Sequence, residues 1–343
     1  MNIENMISKS EKEKLILMSQ PDWMDPMLAT LTHEEFSDKH WIYERKLDGE
    51  RCLVFKKEGK LRLMSRNKKK LNRKYPYLFK AFSSLDIDDF IIDGEIVAFD
   101  YNLTSFSKLQ KRMHLSSEKE ALNSDVDVCF YAFDIMYLDK YKLTKLALRE
   151  RKKILKNVFI YNDPIRFTQH RNKDGLDFFK KACKKGWEGI IAKKADSQYK
   201  EKRTKKWLKF KCNKRQEFVI IGFTDPEGER IGFGALLLGY YDDNKMNYAG
   251  KVGTGFSDDL LKSINDKIKS IEVDYSPYDN IDISDKSIHW IKPKIVCEVS
   301  FTEWTENNLL RHPRFKGIRT DKNPKDVVNE DKRSERVNDD EHK

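Results

Sequence analysis

The run Glu44-Arg45-Lys46-Leu47-Asp48-Gly49-Glu50-Arg51 places a lysine two residues before Asp-Gly and five before an arginine. A lysine amine is a nucleophile only when neutral. Its ordinary pKa of about 10.4 leaves roughly one molecule in 2,500 neutral at pH 7. A neighbouring cation or metal favours the neutral amine and readies it to attack a nucleotide phosphate. Arg51 supplies such a charge if the chain folds it back toward Lys46. The same segment has a plainer reading. Asp48-Gly49 lies between two alternating apolar runs, Trp41-Ile42-Tyr43 and Cys52-Leu53-Val54-Phe55, which is a good signal for a hairpin turn.

Three further groupings bear on the choice. Asp93-Gly94-Glu95, taken alone, is another Asp-Gly turn. Glu188 opens the apolar run Gly189-Ile190-Ile191-Ala192, where a carboxylate is either a strand end at the surface or a ligand for a hard cation. Glu95 and Glu188 suit magnesium, which takes one or two carboxylates and leaves its other positions to water and phosphate oxygens. In Trp207-Leu208-Lys209-Phe210-Lys211, strand alternation turns Leu208 and Phe210 to a core and Trp207, Lys209 and Lys211 to the other face. Two lysines about 7 Å apart on one face repel unless an anion lies between them; the alternative is an exposed edge strand guarded by lysine. Together the parts suit nucleotidyl transfer, which needs cations around the departing phosphates and an in-line nucleophile. No Gly-x-x-x-x-Gly-Lys-Ser/Thr loop is present, so phosphate cradling of that kind is excluded. The glycines at 228, 232, 234, 250, 253 and 255 do not follow a strand and open a helix, and they read as barrel turns.

The elements that must position these residues fall into two parts. A length of 343 residues allows two domains with sizeable cores. Residues 1–20 read as an N-terminal extension with a short helix before Pro21. Residues 41–67 alternate as strands, and residues 88–100 read as strand, turn and strand. A helix is expected over 105–114, a buried strand over 126–138, and helices over 145–157 and 174–185, the last closed by Gly186. Strands follow at 188–193 and 207–211. Beyond residue 213 strands shorten and helices become scarce. A hairpin is expected across Asp242-Asp243-Asn244, with one helix over 257–271 capped by Ser257. Such a pattern suits a small barrel of the OB type. The expected class is α+β, with antiparallel sheets and helices over 21–212, an OB-fold barrel over 213–322, and a charged, disordered tail over 323–343.

Composition narrows the partners. Net charge is +11 and charged residues make up 36% of the chain. That balance fits a solvated lysine-rich surface or a polyanionic partner, most often nucleic acid. Arginine and aromatic residues interleaved with lysine over 200–214 tilt toward the partner. The five cysteines stand singly without zinc spacing and read as small buried hydrophobes in a reducing compartment. No apolar run reaches the roughly 18 residues of a membrane helix and no signal peptide opens the chain. A soluble cytoplasmic protein without membrane contact is expected.

In order, Lys46-Leu47-Asp48-Gly49-Glu50-Arg51, Ser65-Arg66-Asn67, Asp93-Gly94-Glu95, Phe130-Tyr131-Ala132-Phe133-Asp134, Glu188 to Lys193, Trp207 to Lys211 and Arg319-Thr320-Asp321-Lys322 resemble the motifs of ATP-dependent DNA ligases in the covalent nucleotidyltransferase superfamily. Gln216 to Ile220, Gly232 to Gly239, Gly250 to Phe256, Glu303-Trp304-Thr305 and Leu310 to Pro313 resemble the barrel of the bacterial ligase D type. The resemblance covers residues 27–322. It lacks the polymerase and phosphoesterase modules often joined to that ligase, so a two-domain core enzyme is expected.

The resemblance implies roles. Lys46 attacks the α-phosphorus of ATP and becomes lysyl-AMP. Glu44 sits by the adenine and Phe133 stacks on it. Arg51, Arg66 and Glu95 contact ribose and phosphate. Glu95 and Glu188 hold Mg2+, for which Mn2+ can substitute. Arg203, Lys209 and Lys211 hold phosphates, and Arg319 and Lys322 orient the pyrophosphate. Lys202 stands where the family often has glycine, so a local change in the loop before Arg203 is expected. The implied substrate is nicked duplex DNA, the implied context is DNA repair with a DNA end-binding protein as partner, and a monomer is expected. An RNA ligase, a GTP-using capping-type enzyme and a non-catalytic nucleic-acid-binding protein remain as alternatives.

Overall fold

The chain passes from one sheet to another at the segment that carries Lys46. The computed structural model describes residues 3–331 apart from residues 114, 116, 227, 229, 230, 279, 280, 282, 284 and 286. In it the strand Trp41–Arg45 belongs to a five-stranded sheet and the strand Glu50–Lys57 to an eight-stranded one. Asp48-Gly49 is therefore not a hairpin turn. Each flank finds other partners: Trp41–Arg45 pairs with Gly189–Lys194 and His170–Asn172, and Glu50–Lys57 pairs with Lys60–Ser65 and Phe90–Asp100. Asp48 fixes the crossing. Its backbone N–H donates to Thr104 Oγ1 at 3.2 Å, and its carboxylate accepts the Phe106 N–H at 3.5 Å where the helix Phe106–Met113 begins. Gly49 lies so close to the neighbouring strand that a Cβ would stand 2.2 Å from the Ile96 carbonyl oxygen.

The Asp-Gly pair at 93–94 is likewise no turn. Phe90–Asp100 is one strand, and its register against Val128–Leu138 shifts on either side of Ile92-Asp93. Such irregularities keep a strand continuous while re-aiming its side chains. Gly94 admits no side chain, because a Cβ would lie 2.1 Å from the Phe130 ring.

Contacts divide the chain into two compact units between Cys212 and Asn213. In the first, both sheets are mainly antiparallel. The eight-stranded sheet buries Val54, Leu63, Ile92, Phe130 and Ile135 against the helices Pro76–Ser83 and Leu148–Val158. The five-stranded sheet buries Tyr43, Ile190 and Phe210 against the helix Gly175–Lys184. The expected N-terminal extension is part of this unit. Ile3 and Ile7 are buried in its core, a short helix spans Lys9–Lys12, and Ile16–Leu17 is a strand paired with Tyr141–Lys142 rather than the end of a helix.

The reading of all five cysteines as unpaired hydrophobes fails for one pair. Cys183 lies in the last turn of the helix Gly175–Lys184, Cys212 follows the strand Arg203–Lys211, and the two form a disulfide across 29 residues of sequence. The helix lies over the sheet that ends at Cys212, so the fold supplies a proximity that spacing hid. Cys52, Cys129 and Cys297 are free.

In the second unit Lys214–Thr224 is the central strand. It pairs with Leu236–Asp242 and with Ile288–Phe301, and its register shifts at Ile221 in both ladders, which bends it. Leu236–Asp242 pairs with Lys245–Val252 through the expected hairpin, with Asp243 and Asn244 at φ 47° and 64°. Arg314–Ile318 pairs with Ile288–Phe301, and the Phe315 N–H donates to Thr254 O at 2.9 Å, linking the far edges of the sheet into an OB-type barrel. The helix Asp258–Lys269 turns Leu261, Ile264 and Ile268 to the core. The tail expected to be disordered from residue 323 is ordered in its first part. Pro324–Asp326 forms a 3-10 turn, Val327 is buried, and its carbonyl accepts the Tyr241 N–H at 2.8 Å. Two apolar residues, Val327 and Val328, anchor a stretch whose overall polarity argued against order. Residues 332–343 lie outside the described residues.

Candidate active site

Lys46 follows directly on Trp41–Arg45, and its backbone N–H donates to Gly189 O at 3.0 Å, which extends the pairing to the start of Gly189–Lys194. That pairing brings Glu188 to the lysine. The Lys46 ammonium and the Glu188 carboxylate form an ion pair, with side chains 19% and 6% exposed. On the other flank, the Cys212 N–H donates to Glu188 O at 3.0 Å. Glu95 approaches from the eight-stranded sheet, its Cγ within 3.0 Å of where a Gly49 Cβ would stand. Among the described residues no cluster of three or more histidines, cysteines or carboxylates is set to hold a metal. Glu188 at Lys46 and Glu95 beside Gly49 suit a magnesium ion that would share its coordination with substrate phosphates, not an ion caged by protein alone.

Arg51 does not lie on Lys46 as the sequence suggested. Its guanidinium grips Asp93 through Nε and one terminal nitrogen and donates to Met27 O at 3.1 Å. Asp93 is fully buried and also accepts the Tyr199 hydroxyl at 2.6 Å. Burial works against the charge on Arg51, and Asp93 more than offsets it, raising its pKa. Arg51 also lies over the Phe133 ring, 4.6 Å from its centroid. Asp93 carries this arrangement, and sequence reasoning gave it no role. Spacing alone offered only that Asp93 and Glu95 are two apart; that Arg51 pairs in register with Glu95 appears only once the strands are packed together.

Glu44, on the strand that leads to Lys46, is 2% exposed. Lys152 and Lys193 both hold its carboxylate, Lys193 at 2.6 Å, and each of them is also 2% exposed. Burial alone would raise the Glu44 pKa; Lys152 and then Lys193 reverse this and keep it low. Lys193 reaches across, 4.3 Å from the Phe133 centroid and 4.0 Å from that of Trp207. Burial, with Lys152 nearby, lowers the Lys193 pKa against the pull of Glu44. Phe133 is thus a buried ring flanked by two cations, Arg51 and Lys193. Lys193 was in view as the end of a motif and assigned nothing; Lys152 had no signal in the sequence beyond one position on a basic helix.

The strand Arg203–Lys211 alternates as expected in part. Leu208 and Phe210 pack with Tyr43 and Ile190, while Trp207 faces the other way. That other side is not open at Trp207, which is buried among Phe133 and Tyr199. Lys209 and Lys211 are half-buried. Arg203 donates to Ala29 O, and the pairing with Leu28–Leu31 shifts register between Thr204 and Leu208, an irregularity that follows Lys202 closely. Arg66 lies in the turn after Lys60–Ser65. Arg319 and Lys322 belong to the second unit. Arg319 holds Asp321 at 2.8 and 2.9 Å and Glu298 at 3.2 Å, and Lys322 holds Glu217 at 3.0 Å.

A lysine at a sheet crossing with Glu188 paired to it, a lysine-bearing strand beside it and an OB-type unit after it are the arrangement of a nucleotidyltransferase of the covalent class. Residues 26–211 match the model of the ATP dependent DNA ligase domain and residues 229–322 that of the ATP dependent DNA ligase C terminal region. The chain belongs to the ATP-dependent DNA ligase family.

It is 35% identical over 318 residues to the multifunctional non-homologous end joining protein LigD of Pseudomonas aeruginosa, covering 90% of this chain and 37% of that protein. With the LigD of Mycobacterium tuberculosis the identity is 34% over 328 residues, covering 94% and 42%. The chain thus spans less than half the length of these relatives. The solved structure of mycobacterial DNA ligase D complexed with ATP and MES superposes with a TM-score of 0.64 at 33% identity, covering 89% of this chain and 98% of that one. Among the described residues no helix is long and apolar enough to cross a membrane.

Proposed function

We propose that this chain is an ATP-dependent DNA ligase that seals 5′-phosphate/3′-OH nicks in duplex DNA. The observation that carries the reading is the ion pair of Lys46 with Glu188 at the sheet crossing, with Glu95 packed beside Gly49 three residues on. In the first step Lys46 parts from Glu188 and loses its proton to solvent, its free amine attacks the α-phosphorus, a P–N bond forms, and the bond from the α-phosphorus to the bridging oxygen breaks as pyrophosphate leaves. Glu95 and Glu188 would hold magnesium, which would supply charge neutralisation for the triphosphate. Arg203, Lys209 and Lys211 bind phosphate oxygens, and Phe133 stacks on the adenine with Glu44 beside it. Arg51 and Arg66 hold ribose and phosphate. Arg319 and Lys322 exchange Asp321, Glu298 and Glu217 for the departing pyrophosphate. In the second step a DNA 5′-phosphate oxygen attacks the AMP phosphorus and the P–N bond breaks, freeing Lys46. In the third the 3′-OH attacks the DNA phosphorus and AMP leaves.

ATP as the nucleotide is supported by the family and by the ATP complex of the mycobacterial relative. The names of the LigD relatives support a role in DNA repair by end joining; recruitment by a DNA end-binding protein and action as a monomer inside the cell complete the proposal. The test is sealing of a nicked duplex with ATP, GTP or NAD, on DNA, RNA and mixed strands. Efficient sealing of DNA with ATP alone is expected, falling steeply as salt rises because backbone phosphates are neutralised by lysine and arginine. Preference for RNA strands or for GTP would overturn the reading.

A further inference from the structure

The helix Leu148–Val158 carries Arg149, Lys152, Lys153 and Lys156. These positions recur at three- and four-residue steps and so share one face, spanning about 10 Å. Like charges so placed repel one another on a helix. Here all four line a single cavity of about 360 Å³, closed on its other side by Ile42, Phe167 and His170. Among the described residues no carboxylate lines that cavity. The acid nearest to hand, Glu44, is buried behind Lys152 and shared with Lys193.

The walls are fixed in place. Arg149 is held by Asn172 Oδ1 at 2.7 Å and Lys39 O at 3.3 Å. Lys152 is 2% exposed and donates to Thr168 O at 3.0 Å, with its ammonium 4.6 Å from the Phe167 centroid. The buried Nδ1 of His170 has no hydrogen-bond partner in the protein. Four held or adjoining cations, an unpartnered ring nitrogen and no acid make a receptor for anionic oxygens.

We propose that this cavity is a phosphate-binding site distinct from the Lys46 site, taking two or three linked phosphate groups, either of a free polyphosphate or of a nucleic-acid backbone. Arg149, Lys153 and Lys156, all exposed, are its rim, and buried Lys152 its floor. The state of His170 agrees. Burial, then Lys152, Arg149 and Lys193, push its pKa down to about 4 against the pull of Glu44. An anion in the cavity offsets those cations and lets the ring take up a proton.

That gives a readout local to the cavity. The imidazole of His170, assigned with a His170→Gln variant, is followed by NMR over pH 3.5–7.5 in the full chain, alone, with inorganic tripolyphosphate, and with a nicked duplex. The expected result is a midpoint raised by at least one pH unit with ligand in the native chain and not in Lys153→Gln/Lys156→Gln, whose tripolyphosphate affinity falls at least tenfold by calorimetry. Both substitutions are at exposed positions, so the fold is retained, and loss of nick sealing is not needed for the reading. A shift with both ligands assigns the site to nucleic-acid phosphates; a shift with tripolyphosphate alone assigns it to a free polyphosphate. A midpoint that neither ligand moves, or that moves equally in the double variant, overturns the proposal.

Discussion

Glu44 in the first unit and Arg319 in the second each sit at the centre of a buried charge cluster. The first cluster joins one carboxylate to two lysines drawn from three separate elements: the strand Trp41–Arg45, the helix Leu148–Val158 and the strand Gly189–Lys194. It carries one surplus positive charge. The second joins Arg319, Arg215 and Lys322 to Asp321, Glu298 and Glu217, three cations to three carboxylates. Much of it is local, since Asp321 is two residues from Arg319. The contrast separates two ways of keeping cations near a reaction. In the first unit the tertiary fold locks them in place with charge to spare for an anion. In the second, nearby carboxylates hold them balanced, and on the proposed mechanism phosphate oxygens would replace those partners.

The largest expected effect of breaking that contrast comes from Glu44→Ala. It strands two buried lysines, a change that costs about 3–5 kcal/mol when one partner of a buried pair is removed. Thermal unfolding followed by hydrogen exchange should show the first unit losing protection first. A loss below about 1 kcal/mol, the range of exposed pairs, would mean that the cluster is not the rigid element described. Arg319→Ala should cost less, about 1–3 kcal/mol, because Glu298 keeps Arg215 at 3.0 Å. Its chemical effect should be selective. Lysyl-AMP formation should slow at least tenfold while single-turnover sealing of a pre-adenylated nick is spared. Equal damage to both steps would contradict the pyrophosphate role.

The two units should also answer pH with opposite signs. His170 in the first unit is held down at about 4, below its ordinary 6.5. As pH falls from about 6.5 to 4 the unfolded chain takes up a proton that the folded ring refuses, so stability present above that window is lost through it. His289 in the second unit hydrogen-bonds Glu272 at 2.6 Å and Asp225 at 2.9 Å; these partners outweigh its burial and raise its pKa. Its contribution is full below about 6.5 and is lost as pH rises through the raised folded value. His289 is about one-third exposed, so this is the smallest effect of the set. His170→Gln and His289→Gln should flatten the respective pH profiles in calorimetry; the same sign in both units would contradict the assignment.

What the sequence made legible was local chemistry and order. The lysine strand with its Leu208/Phe210 alternation, the helices near 106–113 and 175–184, and the hairpin at Asp243-Asn244 all follow from patterns a few residues wide. Pairing between distant strands did not. Both Asp-Gly steps carry a turn signal that depends only on neighbours, yet at Asp48 the flanks belong to two sheets and at Asp93 the strand runs straight through. The same limit hid Asp93 from Arg51, Lys152 from Glu44 and Cys183 from Cys212, contacts that exist only because separate elements are packed together. Val327 shows the converse, since one buried side chain orders a stretch whose average polarity argued for disorder.

The most direct test is covalent labelling of Lys46. With ATP carrying label at the α-phosphate and with magnesium, the native chain should acquire one acid-labile adduct, mapped by mass spectrometry to Lys46, and neither Lys46→Ala nor Lys46→Arg should acquire any. A labelled band that survives in either variant, or an adduct mapped to Lys193, Lys209 or Lys211, would contradict the assignment of the nucleophile.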